Sequence, residues 1–328
     1  MTLSPAVLSE DLIVEVLSFL PVKSLLQFRC VSKSWKTLIS DPTFVKLHLE
    51  KSQSRNLKLF TIITERINNN NEGDYRVDRY PIDRIFENPS NYHHFKRKGS
   101  RNGSDIVGSC NGLILLYDFG FAFGCDNSTA TYKVVAYGDR KTTSDSEVKV
   151  LNLGDDVWRN IDSFDGLSYR GELSVHYVNL SGTLNWLTYN QYMVPRGFDK
   201  GPLYMPTISV LGGCLCFSYS YRQTNFCIWQ MKKFGVEDSW TQLFKFSYHD
   251  LLIDHDDFRL VPLFLSEDGD SLILQSSLES QTILYNRRDN RAKRTEIIAS
   301  RTAANNRTSG YVYWDFAKDY VESLVPIF

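Results

Sequence analysis

LSEDLIVEVLSFLPVKSLLQFRCVSKSWKTLISDPTF, running from Leu8 to Phe44, decides how the chain is read, because helical spacing runs through it and stops near Leu49. Ser9 is placed to cap a helix whose first turn holds Glu10 and Asp11, two acids suited to the positive end of a helix dipole. Leu12, Ile13, Val16, Leu17 and Leu20 then recur on one face, and Pro21 ends the run. A second short helix carries Leu25, Leu26 and Phe28. A third, capped by Ser32, aligns Trp35, Leu38 and Ile39. Asp41-Pro42 is a cap followed by a proline at the first helical position, so a fourth turn of helix carries Phe44 and Leu47.

A segment of about 50 residues buries only a small share of its surface, and this one has large apolar side chains on more than one helix face. Part of that surface must meet something else. An amphipathic helix laid in a partner's groove, anchored at i, i+3, i+4 and i+7, is the expected form. The alternative is that the helices cap the core of the remaining chain.

The string from Leu8 to Phe44 strongly resembles the F-box motif of plant F-box proteins. It departs at Ser9, where a proline is common, and at Gln27, where a basic residue is common; neither removes an apolar anchor. The resemblance implies docking on the Skp-family adaptor, and through it the cullin, of a Skp/cullin/F-box (SCF) ubiquitin ligase. The anchors it implies are Leu8, Leu12, Ile13, Val16, Leu17, Leu20, Pro21, Leu25, Leu26, Val31 and Trp35. The division that follows is an F-box module over 1–49, a linker over 50–56 and a β domain over 57–328.

From Leu57 the period becomes two: Leu57–Ile63, Tyr132–Tyr137, Val148–Leu151, Leu173–Val178 and Ser271–Leu274 are β-branched and aromatic. A turn glycine followed by an alternating strand recurs at Gly112–Leu116, Gly182–Trp186 and Gly213–Phe217. Trp158-Arg159-Asn160-Ile161 and Trp240-Thr241-Gln242-Leu243 stand 240 − 158 = 82 residues apart, about two repeats of 40–50 residues. Many short strands tend towards closed arrays that protect their edges, so a propeller-like arrangement is favoured over a sandwich.

Gly108–Leu113, Tyr132–Val135, Trp158–Ile161, Gly182–Trp186 and Ile228–Thr241 resemble, in order, the kelch-like interaction domain that follows the F-box in many plant proteins. The expected fold class is α+β multidomain: a small N-terminal helical F-box followed by a mainly β, propeller-like (kelch-type) domain that recognises a target protein. After Leu116 that family usually has a further strand with an Asn-Pro turn, whereas here Tyr117-Asp118 runs into Phe119–Asp126. One blade is therefore expected to lack a strand.

The 328 residues are 42% hydrophobic, 13% aromatic and 23% charged, which suits a globular chain with a sizeable core. Lys plus Arg is 37 against 38 for Asp plus Glu, a net charge of −1, so broad nucleic-acid binding loses support. The first residues carry no basic region and no apolar signal core, and no apolar run reaches the roughly 18 residues of a membrane span. With no secretory signal or membrane segment, the expected location is cytoplasmic and/or nuclear, and Cys30, Cys110, Cys125, Cys214, Cys216 and Cys227 are expected to be reduced core residues. Asn68–Asp74 reads as a mobile polar loop, Asp139–Glu147 as a second polar loop, and Tyr189–Pro206 as a long ordered loop.

No residue set points to bond chemistry, a cofactor or a metal. His249 and His255 among Asp250, Asp254, Asp256 and Asp257 fit no zinc spacing and read as a solvated loop. Cys214-x-Cys216 with Cys227 reads as small apolar side chains in strands. The basic clusters His93–Lys98 and Arg287–Arg294 read as solvated loops or hairpin tips. No GxxxxGK[ST] or GxSxG motif occurs, so the chain reads as non-catalytic. A second reading, a glycan-binding module, would use Trp186, Tyr189, Tyr192, Tyr204 and Tyr221 as stacking surfaces; large aromatics dominate β cores in any case. A β-propeller hydrolase is a third reading, needing two acids at a set separation.

Overall fold

The computed structural model describes residues 9–54, 60–69, 72–81, 94–96, 105–111, 113–117, 121–126, 131–139, 146–155, 157–161, 177–180, 183–186, 195, 206–221, 224–253, 260–276, 281–296, 312–321 and 323–325. Four helices come first: α1 (Glu10–Ser18), α2 (Val22–Phe28), α3 (Lys33–Ser40) and α4 (Pro42–Ser54). Three of them start at a side chain that satisfies an orphan backbone N–H. Ser9 Oγ accepts from Leu12 N–H at 3.4 Å, Ser32 Oγ from Trp35 N–H at 3.2 Å, and Asp41 Oδ1 from Thr43 N–H at 2.8 Å. The Thr43 bonds hold the Asp41 carboxyl below the usual carboxylate range.

Two boundaries differ from the sequence expectation. Pro21 does not end α1, which stops at Ser18; it is the extended residue that starts α2. A proline is tolerated there because the N–H it lacks would have no helical partner. The fourth turn of helix becomes a 13-residue helix ending at Ser54, so most of the stretch expected as a linker over 50–56 is helical.

The β region forms antiparallel sheets. β1 (Phe60–Asn69), β2 (Glu72–Pro81) and β3 (His94–Lys96) begin the first, and β4 (Asp105–Cys110) pairs with β5 (Leu113–Tyr117). β6 (Phe121–Asp126), β7 (Thr131–Asp139), β8 (Ser146–Asn152) and β9 (Arg159–Ile161) form a four-stranded sheet, followed by the pair β10 (Tyr177–Leu180) and β11 (Thr183–Trp186). β12 (Thr207–Leu211), β13 (Cys214–Tyr221), β14 (Asn225–Met231) and β15 (Trp240–Ser247) make another, as do β16 (Leu260–Leu265), β17 (Ser271–Ser276), β18 (Gln281–Asn286) and β19 (Arg291–Glu296). β20 (Val312–Tyr320) returns to the first sheet, whose order is β20-β1-β2-β3. One edge strand of each sheet lies beside the next: β20 by β4, β4 by β6, β6 by β10 and β11, β10 by β12, β12 by β16, and β16 by β20. The succession ends where it began.

The repeated strings occupy equivalent places. Leu113, Thr183 and Cys214 each open the second strand of a sheet. Trp158 precedes β9 and Trp240 opens β15, the fourth strands of two sheets separated by the β10–β11 pair, so their spacing spans two units.

Sheet β12–β15 shows why its strands are apolar almost throughout: both faces are covered. Cys216, Phe226, Ile228, Phe244 and Phe246 pack with Leu260, Leu272, Leu274, Ile283 and Tyr285 of the next sheet. Leu215, Phe217, Tyr219, Cys227, Met231 and Trp240 point the other way, towards Val178 and Leu180 of β10. Alternate residues of one strand thus serve two cores. On β6 and β7, Phe123, Cys125, Tyr132 and Val134 receive Cys110, Leu113 and Leu115 from the preceding pair.

At the position where a strand was expected to be missing, the sheet consists of β4 and β5 among the described residues, and three residues, 118–120, separate β5 from β6 of the following sheet. Most of the polar run Asn68–Asp74 is strand rather than loop: Asn69 pairs with Glu72 and Ile67 with Asp74, while 70–71 lie outside the described residues. Asp139 likewise pairs with Ser146, while 140–145 lie outside the described residues. In the first basic cluster, His94–Lys96 is strand β3 at a sheet edge, and Val77 pairs with Phe95. Charged edge strands discourage pairing with other chains. The second is the β18–β19 hairpin, where Arg287 lies 5.4 Å from the Phe244 ring centroid.

Candidate functional site

The helical module divides its apolar residues into an inward and an outward set. Leu17, Leu25, Ile39 and Phe44 form its buried centre, with Ile13, Val14, Leu20, Phe28, Trp35 and Leu38 packed around them. Phe28 and Trp35 meet edge to face at 5.2 Å. Buried His48 donates from Nε2 to the Leu20 carbonyl at 2.9 Å, tying α4 to the turn after α1. Lys51 reaches Glu15 at 2.9 Å and lies over the Phe19 ring at 4.5 Å.

Of the anchors implied by the sequence, Leu12, Val16, Leu26 and Val31 are 54%, 61%, 46% and 67% exposed, and Pro21 is also exposed. Ile13, Leu20 and Trp35 are half-buried at the margin of the centre. Leu17 and Leu25 are buried at 3% and 0%, so they hold the helices to one another rather than face a partner. The reason is register: in an amphipathic module with two apolar stripes, one stripe must form the module's own core. Leu8 lies outside the described residues. Phe19, 36% exposed, adds to the outward set and was not singled out by helical spacing.

One packing partner of the module has no local signal in the sequence. Leu324, after β20, packs against the centre formed by Leu17, Leu25, Ile39 and Phe44. Val325 packs instead against the Phe123, Cys125, Tyr132 and Val134 cluster.

On the β domain, the large apolar side chains left exposed among the described residues are Val157, Trp158, Ile161, Phe234, Val236 and Leu252. Trp158 meets Phe121 at 6.5 Å with its edge. The proposed stacking residues Tyr189, Tyr192 and Tyr204 lie outside the described residues, and Trp186 is described only as a backbone position paired with Tyr177. Tyr221 is half-buried against the β12–β15 core, and Lys245 lies 5.5 Å from its ring centroid. Of the loop Tyr189–Pro206, Pro195 is described and buried.

All six cysteines are free; Cys216 and Cys227 are buried in strands as small apolar residues, whereas Cys30 is exposed and not a core residue. Burial pushes the Cys216 thiol up to about 12. Contact with Cys110 and a bond from Asn111 pull the Cys125 thiol below its ordinary value, against burial and the Asp126 charge. Burial pushes Tyr132 up to about 12. His249 and Asp250 sit in the turns after β15, where Asp250 Oδ2 accepts from Ser247 N–H at 3.3 Å; Asp254, His255, Asp256 and Asp257 lie outside the described residues. Among the described residues no three His, Cys, Asp or Glu side chains gather as a metal site, and no helix is long and apolar enough to cross a membrane.

Comparison with known proteins gives the helical module its family: residues 7–47 match the F-box domain. An F-box/kelch-repeat protein of Arabidopsis thaliana is 28% identical over 86% of this chain and 88% of its own length. The F-box protein CPR1 of the same plant is 26% identical, covering 73% of each chain. Jacalin-related lectin 38, also from Arabidopsis thaliana, is 26% identical over 55% of this chain and 37% of its own. Among solved structures, a eukaryotic initiation factor aligns at 9% identity over 79% of this chain and 63% of its own, with a TM-score of 0.28.

Proposed function

We propose that the chain is the substrate-recognition subunit of an SCF-type ubiquitin ligase: the F-box docks on a Skp-family adaptor and through it a cullin, and the β domain holds a target protein. The observation that carries this is the outward apolar set, which the module's core does not use. Leu12 and Val16, one helical turn apart on α1, with Leu26 and Val31, remain uncovered by the described chain. Exposed apolar surface of this kind marks a partner site. The F-box match and the two F-box relatives support the same reading.

In this reading the β domain is a ring of six blades, supported by the cyclic succession of edge strands and by the pairing of β20 with β1, the last and first strands. The exposed apolar residues from Val157 to Leu252 are its candidate target contacts. The chain performs no bond chemistry; it raises the effective concentration of target lysines beside a ubiquitin-charged enzyme. Six free thiols fit a reducing compartment, and the cytoplasm and nucleus are the locations we assign to the complex.

The test is binding of the full chain to a purified Skp-family adaptor by calorimetry. Wild type is expected to bind and the double variant Leu12→Asp with Leu26→Asp to lose binding while keeping its helical circular dichroism. Undiminished binding by the folded double variant, or none by wild type, overturns the docking assignment. Glycan binding is the second reading, favoured by the likeness to a lectin alone; Tyr221 is partly buried with Lys245 5.5 Å from its ring centroid, which speaks against it as a stacking surface. A signal on a glycan array that survives the double substitution would favour it.

A further inference from the structure

We propose that Leu324 is a peg that locks the angle between the F-box module and the β domain, making it a positioning residue for whatever the β domain holds. Two consecutive side chains engage two different bodies. Leu324, itself half-buried, packs against the buried centre of the helical module formed by Leu17, Leu25, Ile39 and Phe44. Val325 packs against Phe123, Cys125, Tyr132 and Val134 of β6 and β7. The segment holding them follows β20, which is hydrogen-bonded along β1, so it starts from a fixed strand. Val325 N–H donates to Ser323 Oγ at 2.9 Å, which shapes the segment locally.

A second tie lies at the same junction. Gln53, in the last turn of α4, donates from Nε2 to Asn111 Oδ1 at 3.1 Å, and Asn111 holds a left-handed φ of 50° between β4 and β5. Asparagine tolerates that conformation better than most residues. Asn111 also lies beside Cys125 and Tyr132, whose ionisation its side chain favours and which belong to the cluster that receives Val325. The F-box is thus joined to the β domain by the covalent chain and by contacts at two further points. One connection alone permits swivelling; separate contacts remove it. The face made by Leu12, Val16, Leu26 and Val31 stays open because Leu324 enters from within the chain's own junction and covers none of these four.

The consequence for ubiquitin transfer rests on the proposed ligase role: a fixed angle keeps the target at one distance from the charged enzyme, whereas a swivelling one dilutes it. The locking itself is testable without a target. Nitroxide labels are placed on the full chain through Lys46→Cys and Glu267→Cys in a background with Cys30→Ser, Cys110→Ala and Cys214→Ala, which removes the exposed and half-exposed native thiols, and pulsed electron–electron distances are recorded. Wild-type sequence at 324 is expected to give one narrow distribution, Leu324→Met nearly the same, and Leu324→Asp a distribution at least twice as broad. Adaptor affinity, measured on the same samples, is expected to stay within about twofold, because the peg is not on the docking face. An unchanged width for Leu324→Asp, or equal broadening by Leu324→Met, overturns the proposal. Should Leu324→Asp fail to fold, Val325→Asp carries the measurement from the β side, and an unchanged width there overturns it equally. Absence of adaptor binding in every sample would defeat the ligase reading and leave the distance test standing.

Discussion

Leu25 and Leu26 are neighbours on α2, yet Leu25 is fully buried and Leu26 is 46% exposed. A helix turns about 100° per residue, so adjacent leucines face different surroundings, and in this module those are its own core and its candidate partner.

The pair separates stability from docking. Leu25→Ala leaves a cavity among Leu17, Ile39 and Phe44 and is expected to cost about 2–5 kcal/mol, read as a fall in the denaturant midpoint. Leu26→Asp is expected to change stability by no more than about 0.5 kcal/mol, as for most surface substitutions. It should nonetheless weaken adaptor binding tenfold or more. If the two variants behave alike in both assays, the division into inward and outward sets is wrong.

Alkali should weaken the fold. The Cys216 thiol rises from an ordinary 9.0 to about 12 in the folded chain, so the unfolded chain loses this proton first. The contribution is whole below pH 9 and is lost as pH rises from 9 to 12, reaching about 4 kcal/mol at about 1.4 kcal/mol per unit. Tyr132, raised from 10.0 to about 12, acts in the same direction above pH 10. Guanidinium midpoints measured from pH 8 to 10.5 are expected to fall from pH 9 upward, less steeply in Cys216→Ala. A flat profile would contradict the burial of this thiol.

Gly212 and Gly213 turn the β12–β13 hairpin with φ of 55° and 71°, between Leu211 and Cys214, which pair directly. Two positive φ values in a two-residue turn match the right-handed twist of the strands. Nothing approaches a Cβ at Gly213 within 4 Å, so Gly213→Val meets only backbone strain. The expected cost is about 1–2 kcal/mol, the penalty for left-handed backbone, and Gly213→Asn should cost less. Thermal denaturation distinguishes the two.

Arg288 shows the reverse case, many contacts with little consequence. It bonds to Asp268 at 3.2 Å and also to Asp270, but its side chain is 68% exposed. Ion pairs in water gain little over hydration. Arg288→Ala is expected to leave the melting temperature unchanged within error at 0.15 M salt; a clear loss would mean that the two turns depend on this network.

Several features were legible because they are local. Ser9, Ser32 and Asp41 cap the helices that the sequence assigns to them, since a cap needs only its own next few residues. Strings such as Gly213–Phe217 mark second strands because alternation is a property of a few consecutive residues. What misled was also local: asparagines at 68–71 look like a loop, but cross-strand pairing carries β1 and β2 to within two residues of each other. The family resemblance grouped Leu17 and Leu25 with Leu12 and Leu26 as anchors, and helical spacing set Leu12 and Leu17 on one face, since apolar periodicity identifies a stripe without saying what covers it.

From the sequence alone came the helical module, its caps, its family resemblance and a β region of short strands, all of which depend on residues a few positions apart. Only the tertiary structure decided which apolar residues are spent inside the module, which sheet β20 joins and that Leu324 packs against the helical core. The first depends on contacts between separate helices and the other two on contacts between segments about 250–300 residues apart, and such contacts leave no periodicity in either segment.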